Sequence, residues 1–231
     1  MILRGTTLVP TQEHGNERKA GVLETLKRAI KMKIPETIFS WVIKPLVFFL
    51  LLIPALHLGW GMYQETLGAN PLEAIIRGLG DWGLRILLLT LAISPLRRLT
   101  GWGQLLRLRR MIGLFSYFYV VLHLFAYLWF DQFFDWGEIW FDILERPFIT
   151  IGMVAVVLLT PLAMTSTKGW IRRMGKNWKR LHLLIYPISI FAIIHFFWMV
   201  KLDISEPTLY ALILAILLGE RIFNMLWKKR K

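Results

Sequence analysis

Apolar residues in this chain come in long runs separated by short polar connections, and six of the runs are about 20 residues long. They cover roughly residues 42–63, 76–95, 111–130, 147–165, 179–200 and 207–227. A helix rises about 1.5 Å per residue, so each run suffices to cross about 30 Å of hydrocarbon. The pattern predicts an all-α integral membrane protein, a six-helix transmembrane bundle. The connections are too short for a separate soluble domain. The expected organisation is a polar N-terminal extension over 1–37 and a six-span domain over 38–231. No internal repeat of the transporter kind is visible.

Charge orients the bundle. Residues 1–44 carry eight Lys/Arg, the 96–111 connection five, and the 165–180 connection six, the last two without an acid. The alternate connections are acidic: Glu65 and Glu73 in one, and Asp131, Asp135, Glu138, Asp142 and Glu145 against Arg146 alone in the other. Basic connections stay in the cytoplasm, so both termini are expected there. The net charge of +13 then reads as a topology signal and an attraction to anionic membrane lipid, not to nucleic acid. The first 37 residues lack the layout of a cleavable signal peptide; Val22–Ile34 suits a short interfacial helix or a cytoplasmic tail. The acidic outer connection, with Phe133, Phe134, Trp136, Trp140 and Phe141, suits either a partner dock or an interfacial aromatic belt. A chain of 56% hydrophobic residues with no cysteine has no disulfide, thiolate metal site or iron–sulfur cluster.

Histidine is costly inside a membrane and marks function there. Counting from the cytoplasmic ends of their spans at 1.5 Å per residue, His123 lies about 18 Å deep, His57 about 22 Å and His195 about 24 Å. Two imidazoles at one height on facing helices suit the axial positions of a buried haem, and His123 with His195 is the preferred pair. His57 is the weaker candidate. His182 is shallow, and His14 sits in the polar tail. Ser116, Tyr119 and Tyr127 share the His123 face, where they either border a porphyrin or pack helices. Arg109, Arg110 and His182 gather near the cytoplasmic end, where guanidinium forks suit a flavin phosphate, a quinone or haem propionates. Arg85, one turn from Asp81, either snorkels to outer propionates or makes a local ion pair. No nucleophile–base constellation is visible, so no catalytic residue is assigned.

The segments GDWGLRILLLTLAISPLRRLTG (80–101), RLRRMIGLFSYFYVVLHLFAYLWFD (107–131), ERPFITIGMVAVVLLTPLAMTST (145–167) and WKRLHLLIYPISIFAIIHFFWMVK (178–201) resemble one family. It is MsrQ, formerly YedZ, the haem-binding membrane subunits of bacterial periplasmic methionine sulfoxide reductase systems, within the ferric-reductase-like transmembrane superfamily. The resemblance spans about residues 40–227. It implies a multi-pass protein of the bacterial inner membrane carrying haem b and FMN. Electrons would come from the quinone pool or a cytoplasmic flavin reductase and pass to a periplasmic molybdopterin subunit that holds the catalytic centre. The family's functional histidines correspond to His123, His182 and His195. Superfamily members that stack two haems carry histidines about 14 apart on two helices; here Arg109 stands 14 before His123, which favours one complete bis-histidine haem and another role for His182. The competing readings are a transporter or channel with histidine relays and a direct ferric reductase.

Overall fold

The computed structural model describes residues 34–200 and 203–229. The N-terminal extension, including most of the helix expected over Val22–Ile34 and His14, lies outside them. Among the described residues, six helices are long and apolar enough to cross a membrane: α1 (Glu36–Tyr63), α2 (Pro71–Thr100), α3 (Leu105–Asp131), α5 (Pro147–Met164), α7 (Lys176–Met199) and α8 (Ser205–Lys229). Two short helices, α4 (Trp136–Glu145) and α6 (Lys168–Met174), occupy connections. No strand occurs among the described residues. Each expected span is present, and α1, α2 and α3 begin five or six residues before the apolar run. The first begins at Glu36, two residues before the expected domain boundary.

Local chemistry sets the ends. Asn70 accepts the Glu73 N–H at 3.2 Å, Pro71 occupies the first turn, and α2 stops at Gly101, whose φ of 73° is the left-handed conformation glycine adopts freely. Asp135 accepts the N–H groups of Gly137 and Glu138, starting α4 inside the connection read as an acidic loop. Asp203 accepts from the N–H and hydroxyl of Ser205 at the start of α8, which holds its carboxyl below the usual carboxylate range.

The second span is the hub. Over half of its most apolar stretch (56%) is buried within the protein, against 11–28% in the other spans, whose exposed aromatic and aliphatic residues are suited to lipid. Helices α2 and α3 pack along most of their length, aided by Gly83, whose carbonyl accepts the Ser116 hydroxyl at 3.0 Å. Helix α5 packs on α7 around Leu159, Leu162 and Ile188. Helix α8 is tied to the hub by polar contacts at several heights: Arg85 Nε to the Tyr210 hydroxyl at 2.7 Å, Arg221 to the Leu91 carbonyl at 2.6 Å, and Arg98 to Glu220. In α1, Pro54 interrupts the ladder, and the fully buried Tyr119 repairs the gap next to it. Its hydroxyl donates to the Leu51 carbonyl at 2.7 Å and accepts the Ala55 N–H at 3.0 Å, so it stands between two groups that would otherwise bond each other.

Candidate redox centre

His123 on α3 and His195 on α7 face each other with ring centres 6.2 Å apart and planes at 81°. His123 Nδ1 lies 2.8 Å from the Ile76 carbonyl, and His195 Nδ1 lies 2.6 Å from the Phe148 carbonyl. A carbonyl only accepts, so each Nδ1 carries the proton and each Nε2 keeps its lone pair. Two imidazole–metal bonds of about 2 Å each, plus the distance from each ring nitrogen to its ring centre, span close to that separation. The pair therefore fits two axial ligands of one metal, with the outer-sphere bond that fixes a metal-binding imidazole already made.

Both rings line a cavity of about 510 Å³ between α2, α3, α5 and α7. Its walls are largely apolar, including Leu84, Leu87, Val120, Leu124 and Val156. Its polar rim, Glu73, Arg77, Asp131 and Arg146, lies where α2 and α5 begin and α3 ends. An apolar slot with an imidazole on each side and guanidinium groups at one rim matches a flat macrocycle bearing two carboxylates. Arg77 pairs with Glu73 at 2.5 Å and Arg146 with Asp142 at 3.2 Å, so both arginines are anchored at the rim. Tyr127 lines the cavity, and its hydroxyl donates to the buried Asp142 at 3.1 Å, which also accepts from Gln132 at 2.8 Å. Asp142 is thus a structural carboxylate and not a solvated acid of the connection.

The other sequence candidates lie elsewhere. Arg85 is turned away from this cavity, held by Tyr210 and near Glu206 at 3.9 Å, with its guanidinium over Trp82; the guanidinium groups at the cavity rim are those of Arg77 and Arg146. Ser116 and Tyr119 pack helices and do not line the cavity. His57 is exposed on α1, beside a smaller recess shared with Pro54, Trp82 and Ile86, and does not join the pair.

A second polar cluster lies toward the other end of the bundle. His182 stacks on Trp178 with ring centres 3.9 Å apart, and its Nδ1 lies 3.1 Å from the Trp178 carbonyl. Its Nε2 is buried without a hydrogen-bond partner among the described residues. Arg109 is half-buried within electrostatic range of His182, Arg221 and Tyr186. Arg221 donates to the Tyr186 hydroxyl at 2.6 Å, and its Nε is likewise buried and unpartnered. Arg110 is exposed beside them. The cluster thus brings two guanidinium groups within electrostatic range of one another beside a histidine. Arg221 and Tyr186 were not sequence candidates, because a lone arginine near the end of an apolar run reads as an anchor.

Comparison with known proteins places the chain in a family. The ferric reductase like transmembrane component family matches residues 79–193, a stretch that takes in His123 and His182 and stops two residues before His195. The protein-methionine-sulfoxide reductase heme-binding subunit MsrQ of Xanthomonas campestris pv. campestris is 51% identical over 193 residues, covering 81% of this chain and 88% of that protein. The chain belongs to the MsrQ family. MsrQ of Xanthomonas axonopodis pv. citri is 52% identical over 192 residues (80% of this chain, 86% of the relative), and MsrQ of Rhodospirillum rubrum 50% over 185 residues (80% and 89%). No solved structure matches the chain. With MsrQ membership and six apolar spans, this is a multi-pass membrane protein.

Proposed function

We propose that this MsrQ-family chain is the haem b electron-transfer subunit of a methionine sulfoxide reductase system of the bacterial inner membrane. The observation that carries the reading is the facing pair His123 and His195, with both Nδ1 atoms bonded to carbonyls and ring centres 6.2 Å apart in an apolar cavity. Bound haem supplies one-electron chemistry. His123 and His195 hold it from either side, Arg77 and Arg146 meet its carboxylates, and the apolar walls exclude water from it. Support for haem also comes from the relatives, which are named heme-binding subunits. The inner cluster of Arg109, Arg221 and His182, with Arg110 at its edge, is the proposed entry point for electrons from quinol or a cytoplasmic flavin reductase. Its positive charge suits the phosphate of FMN or the propionates of a further haem. The outer rim of the cavity is the proposed exit toward a periplasmic catalytic subunit. A histidine relay for ions fits less well, since the Nδ1 protons of both histidines are committed to backbone carbonyls.

The test is an optical spectrum of the purified protein, air-oxidised and dithionite-reduced, beside His123→Ala and His195→Ala. The expected result is a six-coordinate low-spin b-type spectrum in the parent and loss of most haem in each variant. A parent without haem, or variants that keep its low-spin spectrum, overturns the proposal.

A further inference from the structure

The two halves of the redox centre are built alike. Ile76 and Gly80 on α2 serve His123, and Phe148 and Gly152 on α5 serve His195. In both cases the carbonyl residue precedes its histidine by 47 positions, and the glycine follows the carbonyl by one helical turn. The second set repeats the first 72 residues later.

We infer that Gly80 and Gly152 are positioning residues for the axial imidazoles: each clears the helix wall so that a histidine of the next helix can lie against it and give its Nδ1 proton to the carbonyl one turn earlier. The inference rests on the haem reading above. Cα–Cβ bonds tilt toward the helix N-terminus, so a side chain at position i lies over the preceding turn. The carbonyl at i−4 already accepts the helical N–H, and its second lone pair is the one the imidazole takes. A Cβ at i would stand in that path. At Gly80 it would meet His123 Nδ1 and Cε1 at 3.1 Å; at Gly152 it would meet His195 Nδ1 at 2.8 Å, closer than carbon atoms tolerate. Neither ring can simply step aside, because its other edge faces the cofactor cavity and its partner ring.

The device does two jobs. It fixes the tautomer and the 81° crossing of the rings. It also makes each imidazole a stronger donor, because a carbonyl-bound Nδ1–H raises ligand basicity and so favours ferric over ferrous iron. Loosening it should raise the haem midpoint potential and weaken haem binding by roughly 10–100-fold, the usual consequence of losing such a partner.

The experiment compares Gly80→Ala and Gly152→Ala with Gly78→Ala, a control on α2 whose Cβ would have the flexible Leu58 side chain as its nearest neighbour. Each is read by haem titration, redox potentiometry and the electron paramagnetic resonance g values of the ferric state. Both test variants should show a higher potential, weaker haem binding and an altered low-spin signal, with Gly152→Ala moving further because its clash is tighter. The unsubstituted protein gives a second measurement that needs no variant to fold. Electron–nuclear double resonance before and after transfer to D2O should find axial Nδ1 protons that exchange slowly, as buried carbonyl-bonded protons do. If His123→Ala and His195→Ala lose the low-spin haem but the glycine variants match Gly78→Ala in all three readouts, or if both Nδ1 protons exchange at once, the positioning role is overturned while the ligand assignment stands. If the histidine variants keep the haem, the ligand assignment itself fails.

Discussion

At the scale of single residues, polar side chains inside this bundle divide into those that complete a backbone and those left open for a ligand. Tyr119 is of the first kind, since its hydroxyl satisfies both Ala55 N–H and Leu51 C=O beside Pro54. Tyr119→Phe removes both bonds, so the turn must tighten for the two groups to bond each other, and the protein should lose about 1–3 kcal/mol of stability. A lower thermal midpoint in detergent, with an unchanged haem spectrum, is the expected result. His182 is of the second kind. His182→Ala should slow haem reduction by a quinol analogue or reduced flavin while leaving most of the His123/His195 haem in place; stopped-flow rates beside pyridine haemochrome content separate the two. That His123 and His195 meet was legible in the sequence, because they lie at matched depth in two apolar runs. For Arg85 the sequence left open a propionate contact or a local ion pair with Asp81, because depth does not say which face of a helix a residue occupies; its partner is the Tyr210 hydroxyl. Gly80 and Gly152 left only a spacing, which gains meaning once the helices they face are known.

At the scale of elements, the apolar runs specified the spans well, because twenty consecutive apolar residues have one stable solution in a bilayer. Connections were harder to read. The stretch after α3 looked like an acidic loop, yet Asp135 caps a helix there, and Asp142 turns inward to hold Tyr127, Gln132 and Arg146. A carboxylate's role depends on what surrounds it, and composition does not carry that. Asp142→Ala removes three anchors of α4 at once. Backbone hydrogen exchange over residues 132–146 should then accelerate on the order of tenfold or more, as expected for losing more than one buried hydrogen bond. Mass spectrometry of peptides from this region checks it, and exchange in α8, which supplies none of these Asp142 partners, should stay unchanged.

At the scale of the whole molecule, the alternation of basic and acidic connections predicts direction. A reporter fused after Lys231 should behave as cytoplasmic, with the rim formed by Arg77 and Arg146 facing the periplasm. A periplasmic reporter would reverse the proposed electron path. The charge pattern carries this expectation alone, since helix packing looks the same from either side of a membrane.

The seam between the two helix pairs has a consequence for assembly. Helices α2 and α3 grip one another closely, as do α5 and α7; on one side α8 joins the pairs through Leu91, Ile193, Leu214 and Arg221, and on the other the cavity lies between them. One axial imidazole stands on each side. A ligand held from both sides acts as a clasp, and it favours the closed arrangement by mass action in proportion to the logarithm of its concentration over its dissociation constant. Without the ligand the two pairs are still joined through α8 but lack this clasp on the cavity side. Cells short of porphyrin should accumulate a form that inserts normally but is cut by proteases between residues 131 and 147, and supplying haem should close it without new synthesis.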